Sequence, residues 1–240
     1  MEIHRFYCPD IASPVGGTFA KATILSPDEA QHAVRVLRLK EGDTLQLVNG
    51  QGWVFDGVLI RPHPKECLVS ITSAIAGQDK RLDIHIAIAP PKNIARLEWF
   101  LEKATEIGIG RITPMLCEHS ERGRLNHERL QRILVSALKQ SKRTWIPELA
   151  QQMTFADVIR LPYSGTRFIA WLGRGSKALS RVAEAGKPST VLIGPEGDFS
   201  EAEIEQAIDA GFAPVSLGSS RLRTETAALY ACTALNILNE

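Results

Sequence analysis

The sequence has few of the features that mark secreted, membrane or metal-binding proteins. No apolar run approaches the ~20 residues that a membrane-spanning helix needs, and residues 1–5 lack the apolar segment of a signal peptide. Only four cysteines occur among the 240 residues, and none has a histidine or second cysteine at zinc-ligand spacing. We therefore expect a cytoplasmic protein with reduced thiols, no membrane segment and no bound metal.

Net charge is also nearly absent, because 28 Lys and Arg residues face 27 Asp and Glu residues. A polyanionic partner would therefore have to be bound by local clusters of positive charge. No internal repeat is visible, and the Gly-x-Gly-x-x-Gly pattern is missing after the first strand of the predicted α/β region, which argues against a dinucleotide-dependent oxidoreductase. What is present, 44% hydrophobic residues, is enough to bury a sizeable core.

The first part of the chain, residues 1–74, predicts a small domain of short strands. Turn residues separate apolar stretches there, including an Asn49-Gly50 turn of the kind that joins two antiparallel strands. One short helix is expected after Ser26, because Pro27 suits the first helical position and Glu29 the third. The predicted strands cover residues 3–8, 44–48, 53–60 and 67–72.

A polar stretch at residues 76–79 indicates a boundary, and strands then alternate with helices through residues 75–240. This alternation predicts an α/β domain with a mostly parallel sheet that is covered on both faces. The predicted strands lie at 82–89, 112–117, 167–171, 190–194 and near 215. The predicted helices lie around 97–107 and at 127–142, 177–185, 201–210 and 225–238.

A buried-type strand at residues 190–193 runs into the turn Gly194-Pro195-Glu196-Gly197 and then into a helix. Glycine lets a ligand approach the backbone, and open α/β sheets bind ligands at the carboxyl ends of their strands. The helix is well delimited, since Ser200 and Glu203 form a capping box and Gly211 suits its end. The alternative is a tight strand-to-helix connection that binds nothing.

A second turn of this kind spans residues 217–228, where a strand end meets Gly218 and a helix start. We expect Thr224 to cap that helix and Glu225 to favour its positive end. Arg221 and Arg223 stand just before the helix, where its dipole disfavours positive charge. An anionic ligand would account for them.

In this order, GPEG-x-FS followed by LG and LRTETA resembles the RsmE family of 16S rRNA uridine methyltransferases, within the SPOUT superfamily. Further matches extend the resemblance over nearly the whole chain, at 32, 36–38 and 42–43 in the first domain and at 91–92, 99, 103–108, 140–143 and 147. Two departures from the family pattern occur. Asp198 stands where a second glycine is usual, and Ser220-Arg221 stands where Arg-Ile is usual.

The resemblance implies an N-terminal PUA-like RNA-binding β-barrel and a C-terminal SPOUT methyltransferase domain with a parallel sheet and a trefoil knot. It also implies a homodimer that uses S-adenosyl-L-methionine (SAM) to methylate ring nitrogen 3 of one uridine near the 3′ end of 16S rRNA in the small ribosomal subunit. The residues that would bind SAM are Leu192, Ile193, Gly194, Pro195, Glu196, Gly197, Leu217, Gly218, Leu222, Arg223, Thr226 and Ala227.

Methyl transfer from a sulfonium requires alignment of the reacting atoms and removal of the uridine imino proton. We predict that Arg223, Arg143 and Gln140 orient the uracil carbonyls or stabilise negative charge, and that Glu106 or Glu196 accepts the proton. The main alternative is a PUA-type RNA-binding protein without catalysis, in which the α/β domain serves only for dimerisation.

A basic segment indicates where RNA would be held. Residues 122–143 contain seven Lys or Arg residues against one acid, Glu128, whereas an ordinary solvated helix face mixes both signs of charge. A smaller basic cluster lies beside His32. The predicted RNA-binding residues are His32, Arg35, Arg38, Lys40, Arg122, Arg124, Arg132, Lys139, Lys142 and Arg143.

Overall fold

The computed structural model describes residues 3–121, 123–173 and 175–240. The chain forms two compact units. The first contains the residues up to Lys80 together with Val135–Ile146, and the second contains Arg81–Leu134 and Pro147–Glu240. The return of 135–146 to the N-terminal unit is a feature that position along the chain does not reveal. None of the helices in the described ranges is both long enough and apolar enough to cross a membrane.

The N-terminal unit is built on a five-stranded mixed sheet, whose strands are β1 (Arg5–Tyr7), β2 (Ala22–Ile24), β3 (Thr44–Val48), β4 (Trp53–Arg61) and β5 (Leu68–Ala76). Their order across the sheet is β1-β3-β4-β5-β2, with β1 parallel to β3 and the other pairs antiparallel. The sequence missed β2.

Alternating side chains account for the core of this sheet. Leu45 and Leu47 on β3, and Phe55 and Leu59 on β4, are all fully buried. Between the two strands the side chain of Asn49 accepts hydrogen bonds from the backbone amides of Gln51 in the turn and Trp53 at the start of β4, which confirms the predicted Asn-Gly turn.

The predicted short helix is present as α1 (Pro27–Gln31), and Ser26 caps it by accepting from the amide of Glu29. The chain then continues through one π-helical turn, His32–Val36. Such turns are rare and often lie at functional sites. The turn carries two of the predicted RNA-binding residues.

The C-terminal unit contains an eight-stranded sheet in which every pair of strands is parallel. The order is β11-β13-β10-β12-β6-β7-β8, and β9 also pairs with β7. The strands are β6 (Ile84–Ile88), β7 (Arg111–Leu116), β8 (Glu148–Leu149), β9 (Met153–Thr154), β10 (Thr166–Ala170), β11 (Lys177–Ala178), β12 (Ser189–Ile193) and β13 (Ala213–Ser216).

The burial of the two central strands is typical of a parallel sheet that is covered by helices on both faces. All five residues of β6 and all five of β12 are buried, as expected where helices pack on both faces. The helices are α2 (Ile94–Ile107), α3 (His127–Gln140), α4 (Phe155–Ile159), α5 (Leu179–Val182), α6 (Glu201–Asp209) and α7 (Thr224–Asn239). The predicted α/β class is confirmed.

Two predicted helices differ from the observed ones. The helix expected at 127–142 ends at Gln140, because Lys142 adopts a left-handed backbone with φ of 58°. Arg143, which was expected just after the helix, therefore lies three residues beyond the end of α3. The helix expected at 177–185 is only the four residues of α5, preceded by β11.

Candidate active site

Three parallel strands end side by side at one edge of the C-terminal sheet. Ala170 pairs with both Ile193 and Val215, which aligns the carboxyl ends of β10, β12 and β13. A cavity of about 350 Å³ lies there, lined by these strand ends and the loops that follow them. Small-molecule sites span roughly 300 to 1,000 Å³ and favour this edge of open α/β sheets. The edge is therefore suited to a ligand.

The first loop of the cavity leaves β12 at Gly194 and turns from Pro195 to Asp198. The amide of Asp198 donates to the carbonyl of Pro195 at 3.0 Å. Asp198 has a left-handed backbone with φ of 65°, a conformation that glycine adopts freely and aspartate tolerates better than most residues. This geometry explains why glycine is usual at the position and why aspartate can replace it.

Gly194 has a packing role that the sequence interpretation missed. A Cβ atom at this position would lie 3.1 Å from the ring of Phe199, which is buried under the loop. The predicted capping box is confirmed just beyond, with Ser200 and Glu203 each bonding the other's backbone amide. The first loop is thus held between β12 and a well-anchored helix.

The second loop runs from Leu217 to Arg223 and is tied directly to the first. Gly218 has φ of 115°, which strains any other residue, and no atom lies near its missing side chain. The hydroxyl of Thr224 donates to the carbonyl of Gly194 at 3.1 Å. The prediction that Thr224 caps α7 is therefore wrong, since Arg223 occupies the cap position without a side-chain cap bond.

Most of the predicted SAM-binding residues line the cavity, namely Ile193, Gly194, Pro195, Glu196, Leu217, Gly218, Leu222, Arg223 and Ala227. Leu192 is buried within β12, and Gly197 and Thr226 lie outside the lining. Beside the two loops, a third wall that was not predicted from the sequence is formed by Ala170, Trp171, Leu172 and Val215. Only the pairing of β10 with β12 and β13 brings it there.

The four predicted catalytic residues are divided between the two units. Arg223 is exposed and lines the cavity. Glu106 lies near the end of α2, outside the lining, with its carboxylate 2.9 Å from Lys103. Gln140 and Arg143 belong to the N-terminal unit.

The remaining candidate acid, Glu196, has a defined position in the first loop. It lines the cavity, and its carboxylate accepts a hydrogen bond from the amide of Lys92 at 3.1 Å. Lys92 itself lies in the connection between β6 and α2. Glu196 is thereby held by a second segment of the same unit.

The cations predicted near His32 form one continuous segment of the N-terminal unit. The His32 ring meets the Phe6 ring edge-on, with ring centres 6.1 Å apart. Arg35, Arg38 and Lys40 are exposed, and Arg38 has a left-handed backbone with φ of 57°. The structure thus presents three positive charges to solvent within six residues.

Two cations of the basic segment are paired within the N-terminal unit. The Lys139 ammonium lies 2.7 Å from the Glu29 carboxylate, and both side chains are largely buried. Arg143 Nε lies 3.5 Å from Asp79. These acids come from distant parts of the sequence, so a count of charges along residues 122–143 could not show them.

Other cations of this segment are more accessible. Arg132 forms an exposed pair with Glu128, one turn earlier on α3. Arg124 and Lys142 are exposed and have no ion pair within the described residues. Arg122 lies outside the described residues.

Polar groups at the opposite, amino-terminal edge of the sheet are buried and satisfy one another. His85 Nε2 lies 2.8 Å from the hydroxyl of Thr113. Burial, and to a smaller extent the charge of Arg111, lowers the pKa of His85 to about 3. His85 is therefore a neutral, structural side chain at ordinary pH.

Comparison with known proteins gives consistent results for both units. An RNA methyltransferase domain family matches residues 78–236, and an RNA methyltransferase PUA domain family matches residues 25–72. Ribosomal RNA small subunit methyltransferase E of Synechocystis sp. is 31% identical, over 92% of this chain and 75% of its own length.

Two solved structures resemble the chain throughout. A probable rRNA-methyltransferase from Porphyromonas gingivalis is 43% identical with a TM-score of 0.88, covering 99% of this chain and 98% of that one. A ribosomal RNA small subunit methyltransferase E from Neisseria gonorrhoeae, bound to S-adenosyl methionine, is 26% identical with a TM-score of 0.84, covering 99% and 98%. Together with the two domain matches, these similarities show that the chain belongs to the ribosomal RNA small subunit methyltransferase E family.

Proposed function

We propose that this rRNA methyltransferase uses SAM to methylate ring nitrogen 3 of one uridine near the 3′ end of 16S rRNA in the small ribosomal subunit. Family membership supports the activity and the substrate class, and the SAM-bound relative supports the methyl donor. The motif resemblance supports the base and its position. The observation that carries the proposal is that both motif loops border one cavity and are joined by the bond from Thr224 to Gly194.

The residues of the cavity fit SAM. Leu217, Leu222 and Ala227 offer apolar walls for the faces of an adenosyl group, and backbone amides of the glycine turns can meet its polar edges. Glu196 and Asp198 place carboxylates at the same cavity, where they are complementary to a cationic ligand. When bound, SAM supplies an electrophilic methyl group on a positively charged sulfur.

The side chains of the protein must then orient the uracil, accept its imino proton and balance the negative charge that develops. Arg221 and Arg223 both line the cavity, and Arg223 is proposed for the last of these roles. Glu196 is favoured over Glu106 as proton acceptor, because Glu196 lines the cavity. Gln140 and Arg143 are proposed to orient the uracil carbonyls.

We further propose that the N-terminal unit is a PUA-like barrel that holds the rRNA. The match at residues 25–72 supports this assignment. The exposed cations of the segment from His32 to Lys40, with Arg124 and Lys142, would contact phosphates. Modification of ribosomal RNA implies that the enzyme works in the cytoplasm.

A homodimer and a C-terminal trefoil knot complete the proposal. Helices α2 and α7 pack against each other and expose large apolar side chains, with Trp99 42%, Tyr230 47% and Ile237 65% accessible. Exposed apolar patches of this kind often mark contact surfaces. Light scattering at micromolar concentration should show a dimer, and a monomer of 26.4 kDa would contradict it.

Calorimetry with SAM tests the cofactor site. Ala227→Leu adds bulk at a helical position that lines the cavity, so we expect it to weaken SAM binding strongly without backbone strain. Ala202→Leu, on the exposed side of α6, is the matched control and should bind normally. Wild-type protein that binds rRNA but no SAM would favour the non-catalytic RNA-binding alternative.

Mass mapping of rRNA from a deletion strain tests the target. One modification near the 3′ end of 16S rRNA should disappear and return with the wild-type gene. An unchanged map, or loss at another base, would overturn the proposed position while leaving the family assignment in place.

A further inference from the structure

The guanidinium of Arg96 lies between a carboxylate of the first loop and a carboxylate that follows the second loop. Its Nη1 atom is 4.0 Å from Glu196 of the first loop, and its Nε atom is 3.7 Å from Glu225, which follows the second loop. Arg96 occupies the first turn of α2 and does not line the cavity itself. One cation outside the cavity lining therefore faces an acid in the first loop and an acid just after the second.

Glu225 depends on this cation more than a surface acid would. The residue is 7% exposed, and its Oε2 atom has no hydrogen-bond partner among the described residues. Within the described chain, Arg96 is also the cation that forms an ion pair with it. The positive end of α7 offers further stabilisation. Removal of Arg96 would leave a buried carboxylate without a counter-charge, which is costly.

The start of α2 and the residues before it also hold the first loop, through the carboxylate of Glu196. Glu196 accepts from the amide of Lys92, four residues before Arg96, and lies within ion-pair distance of Arg96. The bond from Thr224 to Gly194 joins the loops directly but involves no charge. The start of α2 and the residues just before it thus hold both loops in place.

We infer that Arg96 is a positioning residue, which holds the two cofactor loops in their binding arrangement by pairing with Glu196 and Glu225 together. The inference rests on the proposed function, in that SAM is taken to bind between these loops. A site whose loops are already ordered loses less conformational entropy when its ligand binds. Loss of the ion pairs of Arg96 should therefore lower the affinity for SAM.

Replacement of Arg96 tests this role. We expect Arg96→Gln to weaken SAM binding about tenfold in calorimetry, because the loops lose their shared counter-charge. Arg96→Lys should recover part of the affinity, because a lysine keeps the charge but not the two-sided geometry of the guanidinium.

Arg111→Gln is the matched control. Arg111 has the same 35% side-chain exposure as Arg96 and a comparable ion pair, 3.5 Å from Glu148, but it lies at the amino-terminal edge of the sheet. We expect its loss to leave SAM affinity unchanged. An equal loss of affinity in both variants would overturn the assignment to Arg96.

The double variant Arg96→Gln/Glu225→Gln separates loop positioning from general stability. If Arg96 acts by pairing, the double variant should bind SAM as weakly as Arg96→Gln, because Glu225→Gln leaves no charge to pair. Recovered affinity would assign the loss to the uncompensated Glu225 carboxylate and overturn the inference. Normal SAM affinity in Arg96→Gln, with only a lower melting temperature, would make Arg96 purely structural and overturn the inference. Absence of SAM binding by the wild type would instead overturn the proposed cofactor site.

Discussion

The two edges of the parallel sheet use polar side chains in opposite ways. At the amino-terminal edge, His85 bonds Thr113, and Thr166 bonds Ser189 at 3.0 Å, so that buried and partly buried polar groups satisfy each other. At the carboxyl-terminal edge, the exposed Arg223 side chain has no ion pair or hydrogen bond within the described residues. Internal pairing indicates a structural role, whereas a solvated cation that borders a cavity without a protein partner is available to a ligand.

The largest expected effect concerns Arg223, which should matter to chemistry and not to folding. If it stabilises charge as the imino proton leaves, Arg223→Ala should lower single-turnover methylation by about a hundredfold or more. Its position ahead of a helix means that the free energy of unfolding should change by less than about 1 kcal/mol. SAM affinity should stay within a few-fold of wild type.

The assay for Arg223 uses small subunits from a deletion strain, alongside thermal unfolding of the same variant. Near-wild-type turnover would remove Arg223 from the catalytic residues. A large fall in melting temperature, with a proportionate loss of activity, would place it with the structural groups of the other edge.

The second effect is the acid sensitivity of the amino-terminal edge. The pKa of His85 is about 3 in the folded protein and about 6.5 in an unfolded chain, so below pH 6.5 the unfolded state binds one more proton. Stability from His85 is therefore complete above pH 6.5 and falls by about 1.4 kcal/mol per pH unit until the pH nears 3.

Urea unfolding at pH 6.5 and 4.5 checks this prediction. Between pH 6.5 and 4.5, the free energy of unfolding of the wild type should fall by about 2 kcal/mol more than that of His85→Gln. The variant lacks the titration of His85, and all other titrating groups are common to both proteins. Parallel losses in the two proteins would show that His85 is not held neutral by its surroundings.

A smaller effect is expected at Asp198 in the first loop. Asp198→Gly should change the free energy of unfolding by less than about 1 kcal/mol, because glycine suits a φ of 65°. Asp198→Val should lower it by about 1 to 2 kcal/mol, because branched side chains strain a left-handed backbone. Chemical denaturation measures both, and equal stabilities would mean that the turn relaxes.

The smallest effect extends the comparison from sheet edges to the basic segment. Arg124 and Lys142 are unpaired within the described residues, so replacing each by alanine should reduce the slope of log K against log salt by roughly 0.7 to 0.9. Lys139→Ala should change the slope less, because Glu29 already neutralises that charge. Filter binding to rRNA at several salt concentrations measures the three slopes. Equal reductions in all three variants would show that pairing is irrelevant.

Local sequence signals predicted the regular elements well. Thr44–Val48 was predicted to the residue, and the boundaries at Pro27 and Ser200 followed from capping patterns that operate within a few residues. The elements that were missed, such as β2, β9 and α4, are two to five residues long. Their pairing partners lie elsewhere in the chain, so no local periodicity reports them.

Only part of the cavity could be predicted, because local signals do not report contacts between distant segments. Its two glycine turns carry their own signals, so Gly194 and Gly218 could be singled out before any fold was known. Trp171 could not, because β10 reaches the cavity only through pairing with β12 and β13. The role of Thr224 was misread because a hydroxyl at a helix start is usually a cap, and its actual acceptor lies 30 residues away.

By itself the sequence determined the α/β class and the two motif loops, because periodicity and turn chemistry act over short distances. Family resemblance, carried by those loops, pointed to the activity. Tertiary structure alone decided which charges are neutralised: Glu29 reaches Lys139 across 110 positions, and Arg96 meets Glu225 from another helix. Electrostatic pairing depends on distance in space, and only the folded chain fixes that distance.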